Sequence, residues 1–288
     1  MPTSRTRGHR RSGILLFLAL VAVVAGVTVA VWRGTGPLPD PPGCTAMVAA
    51  RTVGLEPDQA ENATLIAAIG VRRGLPARAV SIALATAYQE SKIRNLGHGD
   101  RDSIGIFQQR PSQGWGTVAQ ISDEHYAINK FYDALEKIHG YQTMRITEAA
   151  QKVQRSGFPE AYEAHAPDAR ALASALTGYS PGGTFTCVVR EQSGHGTASA
   201  ATAALTKAYG DLDIARTGSR QDFTVTVPGG EDGTRTGWSV AAYLLAHAAD
   251  LEVASVSYDG LSWRAGDDSE KGWVASSASP TKVTVSLG

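Results

Sequence analysis

The alternation of apolar and polar positions divides the chain into two parts with different periodicity. Between residues 44 and 187, apolar residues recur at helical spacing in several segments, and strand-like sequences are almost absent. The predicted helices cover residues 57–73, 76–91, 123–138, 147–155 and 167–176. This pattern predicts a mostly α domain at residues 44–189.

The pattern changes towards the C-terminus, where short strand-like segments alternate with helical ones. We expect helices at residues 202–209 and 237–250, and strands at residues 223–227, 253–258, 262–264 and 282–287. The low-complexity sequence REQSGHGTASAAT separates the two patterns. We therefore predict a linker at residues 190–201 and a small C-terminal α/β domain at residues 202–288.

Residues 14–32 carry no charge, and about 20 apolar residues span a bilayer as one helix. More arginines precede this run than follow it, which places the basic tail at residues 1–13 in the cytoplasm. The sequence thus predicts a single-pass protein of the cell membrane, with a Pro/Gly spacer at residues 33–43 and extracellular C-terminal domains. A cleaved signal peptide is the alternative, although its apolar core is usually shorter, at about 7–15 residues.

Charge and histidine spacing exclude several classes of function. Lys+Arg and Asp+Glu number 27 each, so no net positive field attracts nucleic acid. The seven histidines form no His-x-x-x-His pair, and no Cys-x-x-Cys occurs, so we predict neither a metal site nor a cofactor. A transporter function is not supported either, because one predicted span cannot enclose a pathway and contains no charged residue to line it.

Two cysteines, Cys44 and Cys187, lie near the ends of the predicted α domain. In an oxidising compartment they are expected to form a disulfide. Such a bridge would close a long loop and stabilise the fold by about 4 kcal/mol. The alternative is two buried free thiols.

A glutamate near the end of the predicted helix at residues 76–91 is a candidate general acid. Glu90 shares a helix face with Ala83 and Ala87 rather than with basic residues. Partial burial and the negative end of the helix dipole both raise the pKa of a carboxyl. A glutamate that stays protonated near neutral pH can donate a proton in catalysis, whereas a solvated glutamate at a helix end is the alternative interpretation.

The segment after this helix is rich in turns and polar residues. Amides that bond to hydroxyl and acetamido groups, together with an accessible indole, are typical of a carbohydrate groove. The indole candidate, Trp115, lies between two glycines, and a core tryptophan on a tight turn is the alternative. The candidate groove residues in this segment are Ser103, Gln108, Gln109 and Trp115.

These residues carry a resemblance to a known superfamily. AYQESKIRNL followed by SIGIFQQ resembles the glutamate-serine and glycine-x-x-glutamine motifs of the lysozyme-like superfamily, especially lytic transglycosylases and goose-type lysozymes. The strings GDRDSIGIFQQRPSQGWGT and VQRSGFPEAYEAH are similar to lysozyme-like domains of actinobacterial cell-surface proteins and of phage tail or lysin proteins. The resemblance covers about residues 60–180. It implies a lysozyme-like α fold that cleaves peptidoglycan glycan strands, with Glu90 as proton donor and with Ser91 and Gln108 orienting its carboxyl and the saccharide.

The sequence departs from the family pattern at one place. Transglycosylases have a tyrosine-asparagine pair in a later helix that lines the cleft, and Gln154 and Arg155 stand there in this chain. An arginine near Glu90 would lower the pKa of its carboxyl, which opposes the role of an acid.

A glycosidase normally needs a second carboxylate, about 5–5.5 Å from the acid for retention and about 6.5–9.5 Å for inversion. Asp100 and Asp102 are the nearest candidates in sequence. If neither reaches the cleft, the resemblance to transglycosylases implies that the acetamido group of the substrate takes that role and that the product is an anhydro sugar. The alternative interpretation of GDRDS is a turn that caps its own backbone.

Two functions follow from these observations. The first is a membrane-anchored, extracellular peptidoglycan-cleaving glycosidase of lytic transglycosylase or muramidase type. The second is a non-catalytic module that binds cell-wall glycan, while its C-terminal domain docks a cell-envelope protein. Glu90 in an open cleft facing Gln108 favours the enzyme, whereas an ion pair between Glu90 and Arg155 favours the binding module.

The C-terminal aromatics, among them Trp238, form either a sugar-binding surface or a small core, and we expect mostly core.

Overall fold

The computed structural model describes residues 7–32, 39–158, 160–190, 196–217 and 222–288. The chain forms two compact units, Met1–Pro41 and Pro42–Gly288. The first unit contains one helix, α1 (Arg7–Trp32). Part of the predicted basic tail, most of the predicted spacer and the middle of the predicted linker lie outside the described residues.

The predicted membrane span at residues 14–32 is wrong. Within the described part of the chain, none of the helices combines the length and the apolarity that a bilayer crossing demands. The prediction rested on an uncharged run of residues in the sequence. The predicted single-pass topology and the cell-membrane location depended on that span and are wrong as well.

Helices account for about half of the structure. The α-helices of the second unit are α2 (Pro57–Arg72), α3 (Ala77–Ser91), α4 (Val118–Ile121), α5 (Glu124–Glu136), α6 (Ile146–Gln154), α7 (Ala166–Leu176), α8 (Ala198–Tyr209), α9 (Glu231–Ala246) and α10 (Ala248–Leu251). Short 3-10 turns cover Pro111–Gln113, Ala161–His165 and Gly266–Lys271. The five helices predicted between residues 57 and 176 are confirmed as α2, α3, α5, α6 and α7, with ends that differ by at most two residues.

The end of α3 sets the position of Glu90. Lys92 and Ile93 both adopt left-handed backbone conformations, with φ of 58° and 61°. Their N–H groups donate to the carbonyls of Tyr88 and Ala87, each at 3.0 Å. This arrangement satisfies the last carbonyls of the helix and turns the chain away, so the helix ends one residue after Glu90.

The prediction that strands are almost absent before residue 187 is wrong. Strands β1 (Gly43–Val48), β2 (Arg51–Leu55) and β3 (Phe185–Val188) form an antiparallel sheet in the order β2-β1-β3. The turn between β1 and β2 is Ala49-Ala50, with Ala49 at φ 51°, and it lacks the Gly or Asn that usually marks a hairpin. β3 lies far along the chain from β1, so no local pattern reveals their pairing.

Cys44 in β1 and Cys187 in β3 face each other in the register of this sheet and form a disulfide. The predicted bridge is therefore confirmed. It joins positions 143 residues apart in sequence, so it links the two ends of the predicted α domain.

A second, six-stranded antiparallel sheet lies in the C-terminal part, in the order β4-β5-β9-β6-β7-β8. Its strands are β4 (Asp213–Thr217), β5 (Asp222–Thr226), β6 (Val253–Tyr258), β7 (Leu261–Arg264), β8 (Val274–Ala275) and β9 (Lys282–Leu287). The predicted strands correspond to β5, β6, β7 and β9.

The predicted fold class, a mostly α domain with a small α/β domain and a membrane helix, is wrong. The structure has about 50% helix and 18% strand, with two antiparallel sheets of three and six strands. Some of the strand pairs, such as β1 with β3 and β5 with β9, join segments that are distant in sequence, which helical periodicity does not report.

The second unit has one continuous buried core that extends from Cys44 to Val285. The Trp263 indole N–H donates to the Cys187 carbonyl at 2.9 Å, and the Trp273 indole N–H donates to the Phe185 carbonyl at 2.8 Å. Trp238 and Trp263 are buried, which confirms the expectation of core packing for them. The division at residues 190–201 into two domains stays a prediction.

Candidate functional site

Glu90 lies half-buried in the last turn of α3, beside a tyrosine that the sequence did not single out. The Tyr162 hydroxyl donates a hydrogen bond to Glu90 Oε1 at 2.7 Å. Tyr162 belongs to the 3-10 turn Ala161–His165 and is fully buried. This hydrogen bond fixes one carboxyl oxygen of Glu90.

The electrostatic surroundings of Glu90 favour its protonated form. Burial raises the pKa of the Glu90 carboxyl above its ordinary value. Hydrogen bonds from Tyr162 and Gln154 act in the opposite direction, because they stabilise the carboxylate, but they do not cancel the effect of burial. A carboxyl with a raised pKa keeps its proton nearer to neutral pH, as a general acid requires.

Ser91 positions the following loop rather than the carboxyl. Its hydroxyl is buried and donates to the carbonyl of Ile106 at 2.6 Å, and it accepts from the Arg94 N–H at 3.1 Å. The adjacent Phe107 ring stacks on Phe131 of α5, with centroids 4.3 Å apart. The loop is therefore attached at its apolar centre to both α3 and α5.

Gln108 follows this apolar centre and has a left-handed backbone, with φ of 47°. Its amide oxygen accepts from the Ser103 hydroxyl at 3.2 Å, and its amide nitrogen donates to the Gly105 carbonyl at 3.2 Å. A Cβ at Gly99 would overlap the Gln108 amide, so a larger residue there would displace that amide from its present position. The amide that faces the cleft is consequently held by the loop itself.

An open cleft of about 580 Å³ lies in front of Glu90. Its polar lining includes several of the predicted site residues. The predicted residues that line it are Glu90, Asp100, Ser103, Gln108, Trp115, Gln154 and Arg155. The structure thus brings together residues from α3, the loop after it and the end of α6.

Three predicted site residues lie outside the lining of this cleft: Ser91, Asp102 and Gln109. Gln109 is buried, and its amide nitrogen donates to the Ala127 carbonyl in α5 at 3.2 Å. Its side chain therefore connects the loop to α5.

The two candidate second carboxylates have different surroundings. Asp102 accepts from Arg110 Nε at 2.7 Å and from the Ser112 N–H at 2.8 Å, and these contacts hold the pKa of its carboxyl well below the usual range. It is committed to its own turn. Asp100 lines the cleft with a side chain that is 94% exposed, so it can contact a ligand or a water there. Of the two aspartates, Asp100 is the better placed to act as the second carboxylate of a glycosidase.

Arg155, which follows the end of α6, is not among the groups that lower the pKa of Glu90. Arg155 caps α6 in a left-handed conformation with φ of 52°, and among the described residues it makes no ion pair with Glu90. The lowering of the Glu90 pKa that the sequence suggested for Arg155 is not found, because that pKa is raised. Gln154 instead donates to the Phe107 carbonyl at 2.7 Å and lines the cleft beside Glu90.

Tyr162 is the functional candidate that sequence reasoning missed. It lies 72 residues from Glu90 in the chain, within a short 3-10 turn that has no apolar periodicity. The only available signal was general: a buried tyrosine needs a hydrogen-bond partner for its hydroxyl. That signal does not identify the partner.

A second hollow, of about 710 Å³, adjoins the cleft. The two share Gln113, Trp115, Gln154 and Arg155, so they form one continuous groove. Within the described residues, no group of three or more His, Cys, Asp or Glu side chains is arranged to hold a metal ion.

Comparisons with known proteins do not identify the chain. No model of a known protein family matches it, and no curated protein is significantly similar to it. The resemblance to the lysozyme-like superfamily therefore stays a prediction from the motifs.

Proposed function

We propose that the protein cleaves the glycan strands of peptidoglycan, as a glycosidase of lytic transglycosylase or muramidase type with Glu90 as the general acid. The observation that carries the proposal is the setting of Glu90, a half-buried carboxyl with a raised pKa on the wall of an open polar cleft. The motif resemblance supplies the substrate class. Trp115 and Gln108 provide the stacking surface and the amide that a sugar chain requires.

The reaction begins with transfer of the Glu90 proton to the glycosidic oxygen. The C1–O bond breaks, and the leaving sugar takes the bonding electron pair as a free hydroxyl. The carbonyl oxygen of the acetamido group on the same sugar attacks C1 and takes up the positive charge there. The C6 hydroxyl then attacks C1, the bond to the acetamido oxygen breaks, and the hydroxyl proton returns to the Glu90 carboxylate. Water positioned by Asp100 would replace the C6 hydroxyl in a hydrolase.

Product analysis tests this proposal. The full chain is incubated with purified, insoluble peptidoglycan, and the soluble products are identified by mass spectrometry. We expect disaccharide fragments with anhydro ends for the first route and with reducing ends for the hydrolytic route. Heat-inactivated protein is the control. No release of sugars, with retained binding to the wall, would contradict the proposal and support a non-catalytic glycan-binding module.

The Tyr162 hydroxyl offers a test of the acid itself. Tyr162→Phe removes a hydrogen bond that lowers the pKa of Glu90, so this pKa rises further. A general acid works while it is protonated, and a higher pKa therefore moves the alkaline limb of the kcat/KM profile to higher pH. The profile is measured as the rate of sugar release between about pH 4 and pH 9.

Tyr209→Phe is the matched control for this variant. The Tyr209 hydroxyl is also buried and shares a hydrogen bond of 2.9 Å with Ser239, but Tyr209 does not line the cleft. It should leave the pH profile unchanged. An alkaline limb that stays in place, or moves to lower pH, in Tyr162→Phe would show that Glu90 does not control it.

A further inference from the structure

The second hollow of the groove has a concentration of positive charge. Lys130, Lys137 and Lys152 line it together with Arg155, which also lines the cleft of Glu90. Lys130 lies on α5 and Lys137 follows the end of that helix, seven positions later, so both side chains lie on the same face. Lys152 comes from α6.

None of these four cations forms an ion pair with a carboxylate in the described part of the chain. The only acidic residue in the lining is Asp133, which already pairs with Arg73 at 2.8 Å. By contrast, Arg110 in the neighbouring cleft is neutralised by an ion pair with Asp102 at 2.7 Å. The basic hollow therefore has an uncompensated positive charge at one end of the groove.

The position of this charge indicates what it binds. The basic hollow and the Glu90 cleft share Trp115 and Gln154, so a polymer that passes Glu90 continues over the lysines. Neutral sugars offer ammonium groups hydrogen bonds only, whereas anionic substituents on the strand add an attraction between opposite charges. In peptidoglycan the peptide stems carry such groups as carboxylates, and attached polymers can carry them as phosphodiesters.

We propose that Lys130, Lys137 and Lys152 bind anionic substituents of the glycan strand next to the bond at Glu90, and thereby select substituted over bare strands. This inference rests on the proposed function for the identity of the polymer. The substituents meant are the carboxylates of the peptide stems. Because ammonium groups also bind phosphate oxygens, the shared chemistry is an anionic oxygen attached to the strand.

Binding is measured in a form that does not cut the strand. The full chain carrying Glu90→Gln is sedimented with insoluble wall, and the bound fraction is determined against wall concentration at low and high salt. The test variant adds Lys130→Gln, Lys137→Gln and Lys152→Gln. The matched control adds Lys207→Gln, Lys271→Gln and Lys282→Gln, which change the net charge equally but lie outside both hollows.

We expect the test variant to bind untreated wall about tenfold more weakly than the control variant, because it loses several partly screened charge contacts. The difference should shrink as salt rises. Wall whose carboxylates have been amidated by carbodiimide should bind the parent protein as weakly as untreated wall binds the test variant. If the anionic groups are phosphates, treating the wall with hydrofluoric acid, which removes phosphodiester-linked polymers, should weaken binding of the parent protein, and amidation should not.

Equal binding of the test and control variants to untreated wall would overturn the inference. So would unchanged binding of the parent after both chemical treatments. The cleavage proposal is tested separately by sugar release from the protein with Glu90 intact. If sugars are released but binding does not depend on the three lysines, only the proposal about the lysines is wrong. If binding depends on the lysines but no sugars are released, only the proposal of cleavage is wrong.

Discussion

Replacing Glu90 by glutamine is expected to reduce the rate of sugar release from peptidoglycan by about 10²- to 10⁴-fold, the usual contribution of a general acid. Glutamine keeps the size of the side chain and can still accept the hydrogen bond from Tyr162. It has no acidic proton, so the leaving sugar would depart as an alkoxide. The measurement is the initial rate of release of soluble sugars at the optimum pH of the unmodified protein.

Glu61 offers a matched control for this substitution. It lies half-buried in α2, and burial together with Asp250, Asp58 and Glu124 raises the pKa of its carboxyl to about 7. It lines a different hollow from Glu90. Glu61→Gln therefore removes a similar buried proton without touching the cleft, and we expect an unchanged rate.

Two results would contradict the role of Glu90 as the acid. One is a Glu90→Gln protein that keeps more than about a tenth of the activity, since an acid typically contributes at least a hundredfold. The other is an equal loss of activity in Glu61→Gln, which would indicate a general effect of removing buried carboxyls. Circular dichroism of each variant verifies that the fold is retained.

Removing the disulfide is expected to lower the free energy of unfolding by about 4–5 kcal/mol, the value for a closed loop of more than about 100 residues. The bridge joins Cys44 and Cys187 across 143 residues. Its loss therefore increases the conformational entropy of the unfolded chain, which the closed loop restricts. The bridge also connects β1 to β3, which otherwise pair through a few backbone hydrogen bonds. The double variant Cys44→Ala/Cys187→Ala is compared with the unmodified protein by equilibrium unfolding in urea.

A reductant provides the control for this second experiment. The reductant should lower the urea concentration at the unfolding midpoint of the unmodified protein to near that of the double variant. It should leave the midpoint of the double variant unchanged. A free energy of unfolding that falls by less than about 1 kcal/mol would show that the unfolded chain gains little freedom when the bridge is absent. The predicted loss would then be wrong even though the disulfide is present.

Parts of the site could be anticipated from the sequence because they depend on local chemistry. Glu90 is near the end of a helix whose apolar pattern is plain, and Gln108 and Trp115 lie in a loop whose composition is typical of a polar groove. The separate surroundings of Asp100 and Asp102 could not be read from the sequence. The two residues are neighbours in one turn, yet only Asp102 meets Arg110 and the Ser112 N–H.

The sequence by itself determined the helices α2, α3, α5, α6 and α7, because each helix forms hydrogen bonds within a few residues and shows its buried face as a period of 3.6. It also determined the candidate acid and the pair of cysteines. Only the tertiary structure decided the sheet of β1, β2 and β3, because β3 pairs with β1 across a long separation in sequence and the β1–β2 turn lacks the Gly or Asn of a typical hairpin. For the same reason only the tertiary structure decided that Tyr162 meets Glu90, and that three lysines from α5 and α6 line one hollow beside the acid.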